Sequence, residues 1–481
     1  MKSIGDSEEI SSKNELAQTQ VDEVEYDSHD AHSWPLRQRL INLALFSAMA
    51  FLNPFGSSIF VTSMNDIAVT FGSSVSSLKL GVTMYVIGMI IGPMVASPLS
   101  EQYGRRPLYL IGYTVFTLLQ IPTALAVNLP MFLVFRFFSG TFGSFSQGMG
   151  GGSINDMFTK VERGKYIGYY LLGVTCGPTL APVISGFISS TGKWRWDFWL
   201  LLILSAVVTV FSFLFLKETY KPVLDQKNKN APSAIENPVN AKVPKEGEAE
   251  RETIFRILVD ALARPLLILI TRPIAICMAL IQSMLSGVLY IFFTGIPEIW
   301  EGEYHFSVQM VGLTYLGLMV GMLFSLLVIL PFNQKLYIFL VKKRGGQAVP
   351  ELRIPMGILG CLLCSTSMFV FGWTVQYKVF WFVPVLFSSF LGAGMILVFT
   401  TLNMYIVDIY GRYAASAIAG TNIPKNICGA TFPLFAGKLF DKLNYGWGFS
   451  LLGFCTIGLS GTLPFLYFFG ERLRRIGTKK N

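Results

Sequence analysis

Twelve apolar runs, each about 20 residues or longer, fill most of this chain and leave few folds open to it. A helix that crosses the hydrocarbon core of a bilayer needs about 20 apolar residues. Six runs precede a polar stretch and six follow it. The predicted spans are residues 40–63, 78–99, 108–127, 131–153, 166–189, 197–216, 273–296, 310–331, 354–373, 380–405, 414–436 and 447–469. The sequence therefore predicts an all-α polytopic membrane protein with twelve transmembrane helices.

The composition agrees with a membrane protein and argues against other classes. Of the 481 residues, 52% are hydrophobic and only 14% are charged, which is too apolar for an ordinary soluble protein. An enzyme is not expected, because the three histidines form no catalytic, metal or nucleotide motif with other residues. The CxxC of Cys361 and Cys364 lies in an apolar run without a second ligand pair, so we expect no metal and no cofactor. Basic patches typical of nucleic-acid binding are also missing from the sequence.

Polar segments divide the chain into five parts. Residues 1–39 form a tail whose first 33 positions hold nine acids and two lysines, and residues 471–481 form a basic tail. Between the predicted six-helix bundles, 40–217 and 273–470, lies a polar linker at 218–272. Within it, residues 254–265 place apolar side chains on one helical face, which predicts an amphipathic helix on the inner membrane surface.

Lysine and arginine counts in the short loops predict the orientation. With the N-terminus in the cytosol, the inner loops carry eleven of these cations and the outer loops carry six. Positive charge is retained on the cytosolic side of a membrane. We therefore expect both termini in the cytosol. Separately, we expect a multi-pass protein of the plasma membrane that acts as a monomer in contact with lipid.

Weak internal repeats relate the two halves. The second helix of each half opens with a Gly-x-Thr motif and repeated glycines, at residues 81–92 and 312–321. Gly140 precedes Asp156 by sixteen residues, and Gly392 precedes Asp408 by the same number. These matches predict two pseudo-symmetric bundles with a substrate site between them near the middle of the membrane.

Short motifs in the expected loops and helices carry a family resemblance. They are SPLSEQYGRR at 97–106, RFFSG at 136–140, GVTCGPTLAPVISG at 173–186, KETYKP after the sixth span and VDIYGRYAASA before the eleventh. Together they resemble the fungal twelve-span drug:proton antiporters of the major facilitator superfamily. The resemblance extends from about residue 40 to residue 470.

Each motif implies a role for particular residues. In the loop between spans 2 and 3, the resemblance implies a charge relay that locks the cytosolic side, formed by Glu101, Gly104, Arg105 and Arg106. This chain departs from the usual pattern, because Ser97 replaces a glycine and Glu101 replaces the commoner aspartate. The fifth-span motif is similar to the antiporter signature, and its residues here are Gly173, Gly177, Pro178, Pro182 and Gly186.

Ionisable residues inside spans are costly in lipid and usually functional or paired. Arg136 lies in the fourth span, and Lys425 lies mid-way along the eleventh, beside Pro424. Because no acid lies in the middle of a predicted span, the proton carrier stays open among Lys425, Asp156 and Glu298, with Arg136 a further candidate for coupling. Snorkelling to the headgroups is the alternative role for both basic residues.

The remaining site candidates are polar or aromatic residues within spans. They are Asn53, Gln147, Tyr169, Tyr170, Gln282, Tyr290, Thr401, Asn403, Asn422 and Asn426. Each could contact substrate or only hydrogen-bond to a neighbouring helix. The resemblance implies a proton-coupled exporter of small amphiphilic or cationic compounds such as drugs or polyamines. The alternatives are a facilitator or importer of a small nutrient, whose expected motifs after spans 6 and 12 are absent from the sequence, and a non-transporting receptor.

Overall fold

The computed structural model describes residues 31–159, 162–229, 263, 265–345, 349–411 and 414–478. The first 30 residues of the acidic tail, Lys160, Arg412 and nearly all of the predicted amphipathic helix at 254–265 lie outside this range. No strand occurs in the described residues, and almost all of them are helical. The prediction of an all-α polytopic fold is confirmed.

Six membrane helices form the first half. They are α1 (Leu36–Ser58, continued by Val61–Ser63 and Met64–Phe71), α2 (Val75–Tyr103), α3 (Arg105–Ala124), α4 (Leu129–Gly143 and Phe145–Met157), α5 (Arg163–Ser189) and α6 (Arg195–Phe215). A short linker helix, Lys221–Lys229, follows α6.

The second half also contains six membrane helices. Its helices are α7 (Pro273–Gly302), α8 (Val308–Phe324, Ser325–Ile329 and Leu330–Lys343), α9 (Ile354–Gln376, preceded by the turn Pro350–Arg353) and α10 (Phe382–Tyr410). The last two come from Ala414–Ser460, which turns at Asn444, where φ is 56°. We name the parts before and after this residue α11 and α12, and α12 continues as Thr462–Thr478.

Hydropathy alone marks nine of the described helical segments as able to cross a membrane. One of them, Ser416–Glu471, contains both α11 and α12. The segments α3 and α4 complete a set of twelve. The helix α3 has 20 residues, enough to cross a bilayer, whereas α4 is divided at Ser144 into pieces of 15 and 13 residues that span it only together.

Glycines let the helices of each half approach closely. A Cβ on Gly140 of α4 would collide with the backbone of Tyr85 on α2. In the other half, a Cβ on Gly392 of α10 would lie 2.5 Å from the carbonyl oxygen of Leu318 on α8. Small residues at such crossings permit dense packing without a hydrophobic driving force between helices. The same pair of crossings, α2 with α4 and α8 with α10, agrees with the predicted repeat.

A pair of salt bridges supports the same internal symmetry. Arg105 at the start of α3 contacts Asp156 near the end of α4, with an N–O distance of 3.3 Å. Arg353, just before α9, contacts Asp408 near the end of α10 at 2.6 Å. The equal glycine-to-aspartate spacing seen in the sequence therefore places two equivalent ion pairs, one in each half.

Several boundaries differ from the predicted ones. The helix α1 breaks at Ile59 and Phe60 and then continues to Phe71, whereas the predicted span ends at 63. The helix α8 passes through a π-helical segment, Ser325–Ile329, and continues to Lys343, beyond the predicted end at 331. The predicted basic tail is helical through Thr478. These helical ends contain polar residues, so the apolar runs of the sequence end before the helices do.

Candidate functional site

One end of the molecule, predicted to face outside, holds polar contacts between the halves. Lys79 of α2 is buried and forms a salt bridge with Glu298 of α7, with an N–O distance of 2.8 Å. Asn65 of α1 donates to the carboxylate of Glu301 on α7 at 2.8 Å. These contacts tie the first two helices of one half to the first helix of the other.

Backbone packing closes the same end. Thr83 of α2 donates to the carbonyl of Ala430 on α11 at 2.6 Å. A Cβ on Gly186 of α5 would lie 2.9 Å from the carbonyl of Val308 on α8, and Gly312 of α8 faces Gly186 in return. We call this set of contacts the outer gate, formed by Lys79–Glu298, Asn65–Glu301, Thr83–Ala430 and Gly186–Gly312. The gate is closed in this structure.

At the opposite end, the ion pairs join helices of the same half. Arg105 contacts Asp156 within the first half, and Arg353 contacts Asp408 within the second. Arg39 of α1 likewise pairs with Glu162, just before α5. The polar contacts that cross between the halves thus lie at the outer gate rather than in these clusters.

The predicted charge relay is centred on Arg105. Its side chain is only 7% exposed and bonds to Asp156 and to the hydroxyl of Ser100. Glu218, which follows α6, accepts from the backbone N–H groups of Arg105 at 2.8 Å and Arg106 at 2.9 Å. A carboxylate at a helix N-terminus satisfies orphan donors and complements the helix dipole. Glu218 therefore caps α3 and brings the end of α6 into the relay.

The geometry explains the glycine of this motif. Gly104 has a φ of +96°, a conformation that side chains with a Cβ rarely adopt. A Cβ there would also lie 2.5 Å from the carboxylate of Glu218. Position 104 must therefore be glycine for α2 to turn directly into α3 over this carboxylate.

The remaining relay residues occupy the rim of the cluster. Glu101 is exposed at the end of α2. Arg106 is half-buried and donates to the carbonyl of Phe213 on α6 at 3.2 Å. The acids bonded to the Arg105 segment are Asp156 and Glu218. The gating role that the resemblance implies for Glu101 stays a prediction. The KETYKP motif was the available signal for Glu218.

Replacing Glu218 by glutamine will lower the thermal stability of the purified protein. The amide removes a buried charge from the N-terminus of α3, which we expect to cost about 1 to 2 kcal/mol. The matched control is Glu162→Gln, because Glu162 is more exposed and its contact with Arg39 is 3.5 Å long. Melting curves that shift equally for both variants would contradict a capping role.

Arg136 is the deepest charge in the first half, with no exposed surface. Its guanidinium donates to the carbonyls of Gly56 at 2.6 Å, Ser57 at 2.9 Å and Gly81 at 3.3 Å. It also lies over the rings of Phe60 and Tyr85. The carbonyls of Gly56 and Ser57 become available because α1 breaks just after them. Arg136 therefore holds the broken helix α1 against α2 and α4, and does not snorkel to the headgroups.

Three predicted cavity residues have buried polar atoms without a hydrogen-bond partner among the described residues. They are the Nδ2 of Asn53, the Oε1 of Gln282 and the Oδ1 of Asn422. They belong to α1, α7 and α11, and so to both halves. Unsatisfied buried amide atoms are costly and are usually paired with a ligand or water. We call these three side chains the polar centre, because they are the predicted cavity amides whose buried atoms lack a partner among the described residues.

Tyrosines connect this centre across the halves. Tyr85 of α2 donates to both the backbone and the side-chain oxygen of Asn53, at 2.8 and 2.9 Å. Tyr290 of α7 lies beside Ser57 of α1 in the first half. It also packs against the backbone of Gly429 on α11. Tyr290 is thus the predicted cavity residue that touches both halves directly.

Lys425 lies on α11 beside an aromatic ring of the same half. Its ammonium group is 5.2 Å from the ring centre of Phe399 on α10, a cation–π distance. The residue is half-buried, and Asn422 lies one turn earlier on the same helix. Its predicted place in the wall between the halves stays a prediction, because the contact with Phe399 lies within the second half.

The other cavity candidates occupy more varied positions. Gln282 donates to Asn403 at 3.4 Å, and Asn333 donates to the buried Thr401 at 3.3 Å. Asn426 and Gln147 are half-buried.

Two tyrosines of α5 lie apart from this centre. Tyr170 packs inside the first half against Phe46 and Gly150. Tyr169 is 50% exposed and lies beside Lys165 near the predicted cytosolic end.

The antiporter motif of α5 packs against two partners. Gly173 and Gly177 face the backbone of α1, and the carbonyl of Pro178 accepts from Ser58. Further along, Pro182 and Gly186 face Gly312 of α8 in the other half. The motif therefore connects the helix held by Arg136 to the outer gate.

The four predicted proton-coupling residues are scattered rather than clustered. Arg136 lies inside the first half, Asp156 in the relay, Glu298 in the outer gate and Lys425 in the second half. Sequence reasoning missed a fully buried carboxyl, Asp197 at the start of α6, because it lies at the edge of an apolar run. Within the described ranges, no cluster of three or more metal-binding side chains occurs.

Comparison with known proteins gives the family. The sequence pattern of the Major Facilitator Superfamily matches residues 46–433. The chain belongs to the major facilitator superfamily. Its fold is that of the superfamily, and it is a transporter rather than an enzyme.

Curated relatives cover nearly the whole chain. It is 49% identical to the "Uncharacterized transporter mfc1" of Schizosaccharomyces pombe over 462 residues, 93% of each protein. It is 34% identical to the "Efflux pump radE" of Floropilus chiversii, with 93% of this chain and 83% of that protein covered. Among solved structures, the xylose transporter XylE from E. coli in a partially occluded inward open conformation matches 90% of this chain and 98% of its own. That match has a TM-score of 0.64 at 16% identity and supports the fold alone.

Proposed function

We propose that this superfamily member is a proton-coupled exporter of small amphiphilic or cationic compounds, working by alternating access in the plasma membrane with both termini in the cytosol. The observation that carries the proposal is the polar centre, in which Asn53, Gln282 and Asn422 each keep an unpaired buried amide atom on helices of both halves. A site shared by two halves changes its access when one half rocks against the other. The relative whose printed name is "Efflux pump radE" agrees with this direction of transport.

The surroundings of the centre suit flat or amphiphilic solutes. Tyr85, Tyr290 and Phe399 supply aromatic faces. The three amides of the polar centre supply a small number of hydrogen-bond donors and acceptors. Aromatic faces bind cations and planar rings without strict directional demands. A sugar site would need more paired donors and acceptors than these positions provide.

Lys425 offers a means of exchanging substrate for protons. A charged lysine in this wall disfavours a cationic solute nearby, whereas a neutral lysine does not, because like charges repel in a poorly hydrated site. Binding of a cationic substrate and protonation of Lys425 would then oppose one another. Such mutual exclusion is what an antiporter requires, and it makes Lys425 the proton carrier that we favour over Asp156 and Glu298.

The substrate class can be tested with the purified protein. Across a panel of polyamines, planar cations, neutral amphiphiles and simple sugars, we expect cationic amphiphiles to raise the melting temperature and sugars to leave it unchanged. A ligand stabilises a folded protein by RT ln(1 + [L]/Kd), about 2.7 kcal/mol at a hundredfold excess over Kd. The control is the Asn53→Ala and Gln282→Ala double variant, which should lose this response. Stabilisation by sugars alone would favour a nutrient importer.

A further inference from the structure

A buried carboxyl lies directly behind the outer gate. Asp197, in the first turn of α6, has no exposed surface. Its Oδ2 accepts hydrogen bonds from the hydroxyls of Ser63 on α1 at 2.5 Å and Ser185 on α5 at 3.0 Å. Ser63 also bonds to Ser189, and Thr62 donates to Ser185 at 2.7 Å. The carboxyl thus joins three helices of the first half through a hydroxyl network.

The second oxygen of this carboxyl, Oδ1, is buried and has no hydrogen-bond partner among the described residues. Another acid, Asp66 of α1, lies near Asp197. The nearby cations are directed elsewhere. Arg195 lies over Trp194 and donates to the carbonyl of Ala126, Lys193 is exposed, and Lys79 is bound by Glu298. No described cation therefore neutralises a charge on Asp197.

This environment favours the neutral acid over the carboxylate. Burying a carboxylate without a counter-charge costs several kcal/mol. The N-terminus of α6 and the two hydroxyl donors offset part of that cost, but a helix terminus contributes about 0.3 to 1 kcal/mol. The proton of a neutral acid would sit on Oδ1, the oxygen that accepts no hydrogen bond. With the outer gate closed, the structure suits a protonated Asp197.

Both hydroxyl donors lie on segments that touch the other half. Ser63 ends the turn Val61–Ser63, which packs against α7 and α8. Ser185 immediately precedes Gly186, which packs against Gly312 of α8 in the outer gate. Opening the gate must move α8 away from these two segments. Water can then reach the hydroxyl network and hydrate a charged Asp197.

We propose that Asp197 is a proton-binding site of the outer gate. One proton from the outer solution adds to the carboxylate as the gate closes, and it leaves the carboxyl for water when the gate reopens. The proposal deepens the proposed function and rests on its alternation between two conformations, although it does not depend on which solute is carried. It assigns a second protonation site, distinct from Lys425 in the wall between the halves.

The sign of the pH effect follows from proton uptake on closing. Acid should favour the closed gate, and alkali should favour the open gate. A single proton changes the ratio of closed to open molecules by at most about tenfold per pH unit. A flatter response indicates partial coupling, and a steeper one requires a second group.

The test measures the width of the outer end in the full-length protein in lipid nanodiscs. Spin labels carried by unnatural amino acids at Ser190 and Lys442, both exposed at the outer ends of opposite halves, report the distance between the halves. In the wild-type protein without substrate, the short-distance population should rise as the pH falls. Asp197→Asn keeps an acceptor for Ser63 and Ser185 but cannot ionise, so it should stay closed at every pH.

The matched control is Asp66→Asn, which removes the neighbouring acid and should preserve the pH response. A pH-dependent gate in Asp197→Asn, or a pH-independent gate in the wild type, would overturn the proposal. Should Asp197→Asn fail to assemble, infrared spectroscopy of the wild-type protein tests the proposal through the absorption band of a protonated carboxyl. This band must appear at low pH in step with closing, and its absence would also overturn the proposal.

These results are separable from the proposed function. A gate that responds to pH through Asp197 in a protein that transports without a proton gradient would refute proton-driven export and leave this site intact. Proton-driven export in a protein whose gate does not respond to Asp197 would refute this site and leave the proposed function intact.

Discussion

Arg136→Ala will lose nearly all transport activity and will be the least stable of the single variants discussed here. The substitution leaves the carbonyls of Gly56, Ser57 and Gly81 without their donor in a site that water does not reach. Breaking a buried, charge-assisted set of hydrogen bonds costs about 3 to 5 kcal/mol. The melting temperature in detergent and transport in reconstituted vesicles measure the two effects.

Two further variants sharpen this prediction. Arg136→Lys keeps the charge but has a single ammonium group, which cannot span carbonyls on both α1 and α2 as the planar guanidinium does, so it should recover only a minor part of the stability. The control is Arg195→Ala, because Arg195 is less buried and donates to one carbonyl at 3.4 Å. If Arg136→Ala melts like Arg195→Ala, the arginine does not hold the broken helix.

Lys425→Arg and Lys425→Ala will both reduce proton-driven transport at least tenfold, but for different reasons. Arginine keeps the charge and cannot release its proton in the physiological range, so the variant should stop the exchange cycle. Alanine removes the charge, so the variant should bind a cationic substrate with little dependence on pH. Initial transport rates and substrate binding as functions of pH distinguish the two outcomes.

Lys438 provides the control for Lys425 on the same helix. It is exposed, and we expect Lys438→Ala and Lys438→Arg to transport like the wild type. If both Lys425 variants also transport at wild-type rates with unchanged pH dependence, Lys425 only extends toward the headgroups, and its assignment to the site is wrong.

The fold was largely predictable from the sequence because the bilayer imposes a length and a polarity on every span. The twelve spans, their division into halves and the repeat of Asp156 and Asp408 all follow from apolar runs and spacing. The break in α1 and the extension of α8 were not predictable in this way. The break in α1 depends on Arg136 of α4, which supplies a partner for carbonyls that a straight helix would bond itself, and the extension of α8 lies in a segment that contains polar residues.

The site was predictable only in part. Asn53, Gln282, Tyr290 and Asn422 could be proposed from their polarity within spans. The structure leaves a buried amide atom of Asn53, Gln282 and Asn422 unpaired and places Tyr290 beside Ser57 of the other half, while their contact with substrate stays a prediction. Asp197 and Glu218 could not be ranked, because each lies where an apolar run meets a polar segment. Their roles depend on burial by other helices, which a single sequence does not reveal.

Simultaneous measurement of substrate and proton flux in sealed proteoliposomes tests the central claim, proton-coupled export, most directly. An imposed pH gradient should move a cationic amphiphile and protons in opposite directions, the substrate flux should reverse when the gradient is inverted, and a protonophore should abolish accumulation. Lys425→Arg vesicles, with the same protein content, should show neither flux. Substrate movement that ignores the pH gradient would indicate a facilitator, and substrate and protons moving in the same direction would indicate an importer. Either result would contradict the account.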